Sequence, residues 1–175
     1  MSERPPQVAV IGGGSAREEL LELAEEVGRR LAEAGAVLVC GGRGGVMEAA
    51  SRGAREAGGV VIGILPGLSP GEANEHVTHA IATGVGHARN LAVVASGDAV
   101  IAIGGEWGTL SEIALARRLG HPVAALRSWT LENAAVDDLG ITESSDAAEA
   151  VAFALGAART AASGIAEGRD PVDEP

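Results

Sequence analysis

A chain of 175 residues, of which 46% are hydrophobic and 21% are charged, is long enough to bury a core without disulfides or a metal. Its formal net charge of −11 argues against nucleic acid or an anionic membrane as the main partner, because both bind a basic surface. All 13 basic residues are arginine, and the lack of lysine excludes a phosphate-binding P-loop, a Schiff-base enzyme and a Ser-Lys catalyst.

The single cysteine and the N-terminal segment say little about function, but they bear on disulfide formation and on the cellular location of the protein. Cys40 is alone, which excludes a disulfide within one chain, and its place at the end of an apolar run predicts a buried, inert thiol. The N-terminus has no apolar targeting region, and no segment approaches about 18 uninterrupted apolar residues. We therefore expect a cytoplasmic protein that does not bind a membrane.

Apolar runs of strand length alternate with helical patterns along the chain. Strands are predicted at 8–11, 37–40, 60–65, 77–83, 99–103 and 122–126, and helices at 17–35, 46–59, 87–96, after Gly108, and at 144–159. Continuous apolar strands between helices are typical of α/β proteins with a doubly wound, mostly parallel sheet and helices on both faces. We predict one domain over residues 1–163, followed by an acidic, disordered tail at 164–175.

Three clusters of glycine follow predicted strands, at the sheet edge where doubly wound proteins bind ligands. The first cluster contains Gly13 and resembles a dinucleotide fingerprint only in part. Arg17 stands at the third glycine position of that motif, and no acid follows the second strand to bind a ribose hydroxyl. NAD and FAD are therefore disfavoured. Gly13 is either part of a tight turn or a ligand-binding position.

The second cluster places four glycines around one arginine at a junction between a strand and a helix. Backbone amides can converge on an anion at such a junction, and an arginine can add a forked cation. The alternative is a turn with a solvated arginine. The candidate ligand-binding residues here are Gly42, Arg43, Gly44 and Gly45.

The third cluster, GGEWGTLSE, has two interpretations. Thr109 and Glu112 have the spacing of a capping box, in which each side chain bonds a backbone amide of the other. Alternatively, Gly105, Gly108 and Thr109 present amides and a hydroxyl to a phosphate, and Glu112 faces the pocket. The sequence leaves both open.

Arg89 lies near the start of a predicted helix, where a cation is unfavourable against the helix dipole. Its partner is therefore either an anion from outside the chain or one of the 24 acidic residues. The four histidines lack the spacing of a metal site, so we predict no bound metal.

Taken together, GGRGGVMEAASRGAREAGGVVIGILP, GHARNLAVVASGDAVIAIGGEWGTLSEIALA and the first strand-glycine-helix unit resemble the LOG, or lysine decarboxylase-like, superfamily. The resemblance covers residues 8–126 and is greatest for the branch of molybdenum-cofactor carrier proteins. It implies a Rossmann-like fold, usually in a homodimer or higher homo-oligomer. A decarboxylase itself would need a pyridoxal lysine, which the chain does not have.

LOG enzymes are phosphoribohydrolases that cleave a nucleoside 5'-monophosphate into base and ribose 5-phosphate, and their motif is PGGxGTxxE. By this resemblance, Arg89 and Glu112 match the catalytic arginine and glutamate. Gly105, Gly108 and Thr109 match the phosphate loop.

Two departures separate the chain from the enzymes: Gly104 replaces the proline of the motif, and Glu106 replaces its second glycine. An acid repels a phosphate unless its side chain turns away. The first hypothesis is therefore a binding protein, a carrier or sensor of a phosphorylated heterocycle such as molybdenum cofactor or a nucleotide. The cofactor would be bound cargo, and none is required. The alternatives are the phosphoribohydrolase and a scaffold with a vestigial pocket.

Overall fold

The computed structural model describes residues 4–132 and 138–165, with side chains to residue 160. In these ranges the strands are β1 (Gln7–Gly12), β2 (Val37–Cys40), β3 (Val61–Leu65), β4 (His79–Ala82), β5 (Ala99–Ile103), β6 (Val123–Leu126) and β7 (Ile141–Ser144). The helices are α1 (Glu18–Glu33), α2 (Val46–Glu56), α3 (Arg89–Ala95), α4 (Trp107–Arg118) and α5 (Ala147–Ile165), with 3-10 turns at Pro70–Glu72 and Gly86–Ala88.

All seven strands form one parallel sheet in the order β4-β3-β2-β1-β5-β6-β7. The chain winds outward from β1 to β4 and then returns to pair β5 with the other side of β1. The predicted fold class is thereby confirmed as a Rossmann-like, doubly wound α/β fold. The strand order reverses between β1 and β5, which is where such folds leave a crevice at the carboxyl ends of the strands.

The central strands are apolar on both sides because helices cover both faces of the sheet. Val8 and Val10 of β1 pack in a core with α1, α2 and α5, whereas Ala9 and Ile11 pack in a second core with α3 and α4. The strand period of two sends successive side chains to opposite faces, so a buried parallel strand reads as a continuous apolar run.

Helices α1 and α2 pack backbone to backbone through two glycines. A Cβ atom on Gly28 would overlap the carbonyl oxygen of Ala50, and one on Gly53 would overlap the carbonyl oxygen of Glu25. Ion pairs flank this contact, including one between Arg52 and Glu25. The crossing therefore depends on glycine at both positions.

Most predicted elements are confirmed within a few residues, but the last part of the sheet differs. Strand β7 was not predicted; its residues ITES lie at the sheet edge, where Thr142 and Glu143 are exposed and Ser144 is buried. Helix α5 begins at Ala147 and includes positions 164 and 165, which were assigned to the tail. The rest of the predicted tail lies outside the described residues.

Cys40 is fully buried, as predicted, and burial raises the pKa of its thiol. Among the helices described, none combines the length and the apolar character needed to cross a bilayer.

Candidate functional site

A cleft of about 150 Å³ opens at the switch point, at the carboxyl edge of the sheet. The β1–α1 loop, the first turn of α3 and the N-terminal turns of α4 form its walls. Its lining includes Gly12, Gly13, Gly14, Gly41, Met47, His87, Arg89, Asn90, Glu106, Gly108, Thr109 and Glu112. Of the predicted site residues, the fold thus brings Gly13, Arg89, Gly108, Thr109 and Glu112 together.

Arg89 lies at the base of the cleft and is only 9% exposed. Its guanidinium rests on the backbone at Gly41, where a Cβ would lie 2.5 Å from Nη1 and 2.6 Å from Nη2. A side chain at position 41 would therefore displace the guanidinium. Gly41, the first residue after β2, was not predicted as a site residue, although it is what leaves room for the arginine.

The Arg89 guanidinium has little compensation for its burial. Its Nε is buried without a hydrogen-bond partner among the described residues, and its Nη1 lies 3.9 Å from Oε1 of Glu112. At that distance the two groups attract each other but do not share a hydrogen bond. Burial lowers the pKa of Arg89, but an arginine stays charged at neutral pH. The cleft therefore presents a cation with unused donors.

Glu112 is buried beside Arg89, with 7% of its surface exposed. Burial raises the pKa of its carboxyl group to about 7, and the nearby Arg89 opposes this rise only in part. Arg89 lowers the pKa of Glu112 only weakly because the two charged groups are 3.9 Å apart and share no hydrogen bond. At neutral pH the carboxyl group is thus divided between its neutral and charged forms, a state from which it can donate or accept a proton.

The capping-box interpretation of Thr109 and Glu112 is wrong. Helix α4 begins at Trp107, its N-cap is Glu106, and no side chain caps it. Thr109 is therefore inside the first turn, and its Oγ1 is buried without a partner among the described residues. This hydroxyl lies in the lining of the cleft together with Gly108.

Apart from Gly41, the second glycine cluster does not line the cleft, because its glycines pack on a strand or on a neighbouring loop. The amide of Val46 donates to the carbonyl oxygen of Gly13 at 3.1 Å, and Gly45 lies directly against the β1–α1 loop. Gly42 has a φ of 70° and packs on β3. Arg43 is half exposed and faces Glu72 at 3.6 Å.

Two further predicted site residues, Gly44 of the second cluster and Gly105 of the third, also lie outside the cleft. Gly44 is next to the Gly14 carbonyl. Gly105 is backed by Trp129, whose Nε1 would lie 2.5 Å from a Cβ at that position. Gly105 instead lines a neighbouring cavity on the α1 side of the β1–α1 loop.

The position of Glu106 beside the cleft was not predicted from the sequence. Its carboxylate lies over Gly13, where a Cβ would be 2.8 Å from Oε1. Glu106 therefore faces both the cleft and the neighbouring cavity and does not turn away from them. Among the described residues, no cluster of three histidine, cysteine, aspartate or glutamate side chains could hold a metal.

Comparison with known proteins relates this fold and cleft to a family. Residues 5–159 match the SLOG cluster4 family, which is most of the chain. The chain belongs to this family. The SLOG cluster4 chain is 38% identical to the molybdenum cofactor binding protein from the phototrophic bacterium Rippkaea orientalis, with a TM-score of 0.80 over 87% of this chain and 96% of that chain.

Two further relatives of this SLOG cluster4 protein are of comparable similarity. The molybdenum cofactor carrier protein MCP from Chlamydomonas reinhardtii is 34% identical, with a TM-score of 0.75 over 86% of this chain and 96% of that chain. An uncharacterized protein from Archaeoglobus fulgidus is 48% identical over 121 residues, which are 69% of this chain and 80% of the relative. The structural neighbours of the SLOG cluster4 chain at 34% identity or more thus include proteins that bind or carry molybdenum cofactor.

A more distant likeness concerns the fold alone. DNA processing protein A from Helicobacter pylori is 21% identical, with a TM-score of 0.63 over 87% of this SLOG cluster4 chain and 81% of that chain. That neighbour is described as binding single-stranded DNA, whereas the prediction against nucleic acid as the main partner here depends on the net charge of −11.

The raised pKa of Glu112 predicts a pH-dependent stability that the variant Glu112→Gln lacks. The carboxyl group has a pKa of about 7 in the folded protein and an ordinary value of 4.5 when exposed, so the native state binds the proton more tightly. As the pH rises from 4.5 to 7, the free energy of unfolding of the wild type should therefore fall by on the order of 2–3 kcal/mol relative to that of the variant. Urea unfolding of both proteins across this range measures the difference, and parallel pH profiles would contradict the prediction.

Proposed function

We propose that this protein binds a phosphorylated heterocycle, with molybdenum cofactor as its cargo, and holds the phosphate in the cleft at Arg89. The observation that carries the proposal is the buried guanidinium, whose Nε has no partner among the described residues, at the base of an open cleft. A phosphate supplies the acceptor oxygens that such a group needs. The similarity to cofactor carriers supports molybdenum cofactor, a phosphorylated pterin, as the ligand.

The phosphate would have several donors besides Arg89. The hydroxyl of Thr109 is buried and unpartnered among the described residues, and Gly13 and Gly108 bring backbone close to the cleft. A helix N-terminus such as that of α4 favours an anion. The local donors thus explain how an acidic protein with a net charge of −11 could hold an anion.

The β5–α4 loop favours binding over hydrolysis in this proposal. Gly104 has a φ of 65°, a conformation that the proline of the enzyme motif cannot adopt because its ring holds φ near −65°. Glu106 adds a carboxylate where the enzymes have glycine. The loop therefore cannot have the backbone course that the enzyme motif would give it.

A second candidate function is the cleavage of nucleoside monophosphates, and Glu112 is the observation that favours it. A carboxyl group with a pKa of about 7, in the same cleft as a cation, can act as a general acid or base. It can also stabilise an oxocarbenium-like transition state, and Arg89 would position the phosphate.

One experiment separates the two functions. The protein is incubated with AMP, GMP and isolated molybdenum cofactor, and both bound ligand and released ribose 5-phosphate are measured. The carrier proposal predicts saturable binding and return of the ligands intact. Release of ribose 5-phosphate by the wild type, but not by Glu112→Gln, would favour the hydrolase, whereas no binding at millimolar concentration would refute the carrier.

We also propose that the protein self-associates through the outer face of α3 and α4. This face exposes Leu91 and Trp107, the latter with 78% of its surface accessible, beside a largely apolar groove. Exposed apolar patches of this kind mark contact sites between proteins. Light scattering at micromolar concentration would show a multiple of the 17.4 kDa chain mass if this is correct, and a monomer if it is not.

A further inference from the structure

A second cavity of about 330 Å³ adjoins the cleft on the opposite side of the β1–α1 loop. Its floor is apolar and its rim is polar, which is the usual composition of a site for a small organic ligand. The apolar part is formed by Ala16, Leu20, Val46 and Ile103, and the polar part by Ser15, Arg17, Glu19, Glu106 and Arg127. Gly13 and Glu106 line both the cavity and the cleft, so one ligand can occupy the two together.

Glu106 occupies the boundary between the two spaces without a partner of its own. Its carboxylate lies against Gly13, and among the described residues it has neither a hydrogen bond nor an ion pair. A Cβ at position 13 would lie 2.8 Å from Oε1 and also 2.8 Å from the backbone carbonyl oxygen of Ser15. Glycine at this position therefore allows the Glu106 carboxylate to lie directly against the β1–α1 loop.

The charge of Glu106 determines what it can bind. A carboxylate accepts hydrogen bonds and repels anions, so it cannot hold the phosphate that Arg89 attracts. Its two oxygens can accept hydrogen bonds from two parallel N–H groups at once. Carboxylates bind the arginine guanidinium in this way, and they also accept hydrogen bonds from the amino groups of bases. Glu106 is thus suited to the donor edge of a heterocycle.

We propose that this cavity binds a 2-amino-4-oxopyrimidine ring, the donor edge that pterins and guanine share, and that Glu106 accepts hydrogen bonds from its ring N–H and its amino group. The inference rests on the proposed function, because it assumes that the phosphate of the same ligand lies at Arg89. Glu106 is then the residue that determines which heterocycle is bound.

The walls of the cavity fit a flat ring. Leu20 and Val46 offer apolar contacts, and the glycine backbone at positions 104 and 105 allows close approach. Arg127, at the end of β6, has a φ of 48°, a left-handed conformation that arginine rarely adopts. Backbone strain of this kind is concentrated at ligand sites, and a guanidinium can stack on an aromatic ring. Nη1 of Arg127 lies 3.1 Å from Oε2 of Glu19 in an exposed ion pair.

The test compares four probes by isothermal titration calorimetry: GMP, IMP, AMP and inorganic phosphate. GMP has both donors of the proposed edge, IMP has only the ring N–H, and AMP has neither. The wild type should bind GMP at least about tenfold more tightly than AMP, with IMP between them, because an unmet acceptor reduces affinity. In Glu106→Gln the difference between GMP and AMP should disappear, since an amide cannot accept from two donors in parallel.

Glu18→Gln is the matched control, because it removes the same charge from the exposed first turn of α1 and does not line the cavity. It should keep the preference for GMP. Equal binding of GMP and AMP by the wild type would overturn the ring assignment, as would a Glu106→Gln protein that keeps the preference. If the nucleotides bind equally and Arg89 is still required, the proposed function survives without this inference. If neither these probes nor isolated molybdenum cofactor bind, both are refuted.

Discussion

Replacing Arg89 by methionine should reduce the affinity for a phosphorylated ligand by on the order of 100-fold, or about 3 kcal/mol. The guanidinium is the buried cation of the cleft, its Nε lacks a partner among the described residues, and Gly41 leaves space for it. Methionine fills a similar volume without donors or charge. Calorimetric titration with GMP, and with isolated molybdenum cofactor, measures the loss.

The protein should remain folded after this change, because Glu112 can take up a proton when it loses its neighbouring cation. Arg43→Met is the matched control, since Arg43 was an equally plausible phosphate ligand in the sequence but is half exposed and faces Glu72. We expect this control to bind normally. Equal losses in the two variants, or normal binding by Arg89→Met, would contradict the placement of the phosphate.

Gly28→Ala should be among the most destabilising single substitutions in the chain. Its Cβ would overlap the carbonyl oxygen of Ala50, which is backbone and cannot turn aside as a flexible side chain can. Helices α1 and α2 must then separate, and overpacking of this kind costs about 3 kcal/mol. In a domain of this size that corresponds to a loss of about 10 °C in Tm, measurable by thermal unfolding.

Gly156→Ala provides the matched control for this substitution. Gly156 is also inside a helix, α5, but a Cβ there would meet nothing within 4 Å. Alanine has the higher helix propensity, so this variant should keep its stability or gain up to about 1 kcal/mol. If both variants unfold at the same temperature, the packing of α1 on α2 does not depend on glycine.

The sequence was sufficient to predict the parallel sheet because its central strands are buried on both faces. Strands β2 and β5 have the predicted bounds, and the runs VLVC and AVIAI contain no polar residue. Strand β7 was missed because three of its four residues, ITES, are polar and it has no buried apolar run. Its place in the sheet depends on pairing with β6, which local sequence does not encode.

The cleft was predictable in part. The predicted residues that do not line it are mainly glycines that have a packing role instead. Arg89, Thr109 and Glu112 were expected in one site because they match the catalytic pair and the phosphate loop of the LOG motif, and the fold brings them into one cleft. Gly42 and Gly45 looked equally suitable, but they have positive φ values and pack elsewhere, Gly42 on strand β3 and Gly45 on the β1–α1 loop. Whether an amide faces a ligand or a neighbouring carbonyl depends on tertiary packing, which a glycine cluster alone does not reveal.

The most direct test of the site is a crystal structure of the protein with bound GMP. We predict that the phosphate lies within hydrogen-bonding distance of the Arg89 guanidinium, between the backbone at Gly13 and the hydroxyl of Thr109. A phosphate found instead at Arg43 and the Gly42–Gly45 loop, or a cleft that stays empty while GMP is bound elsewhere, would contradict this account.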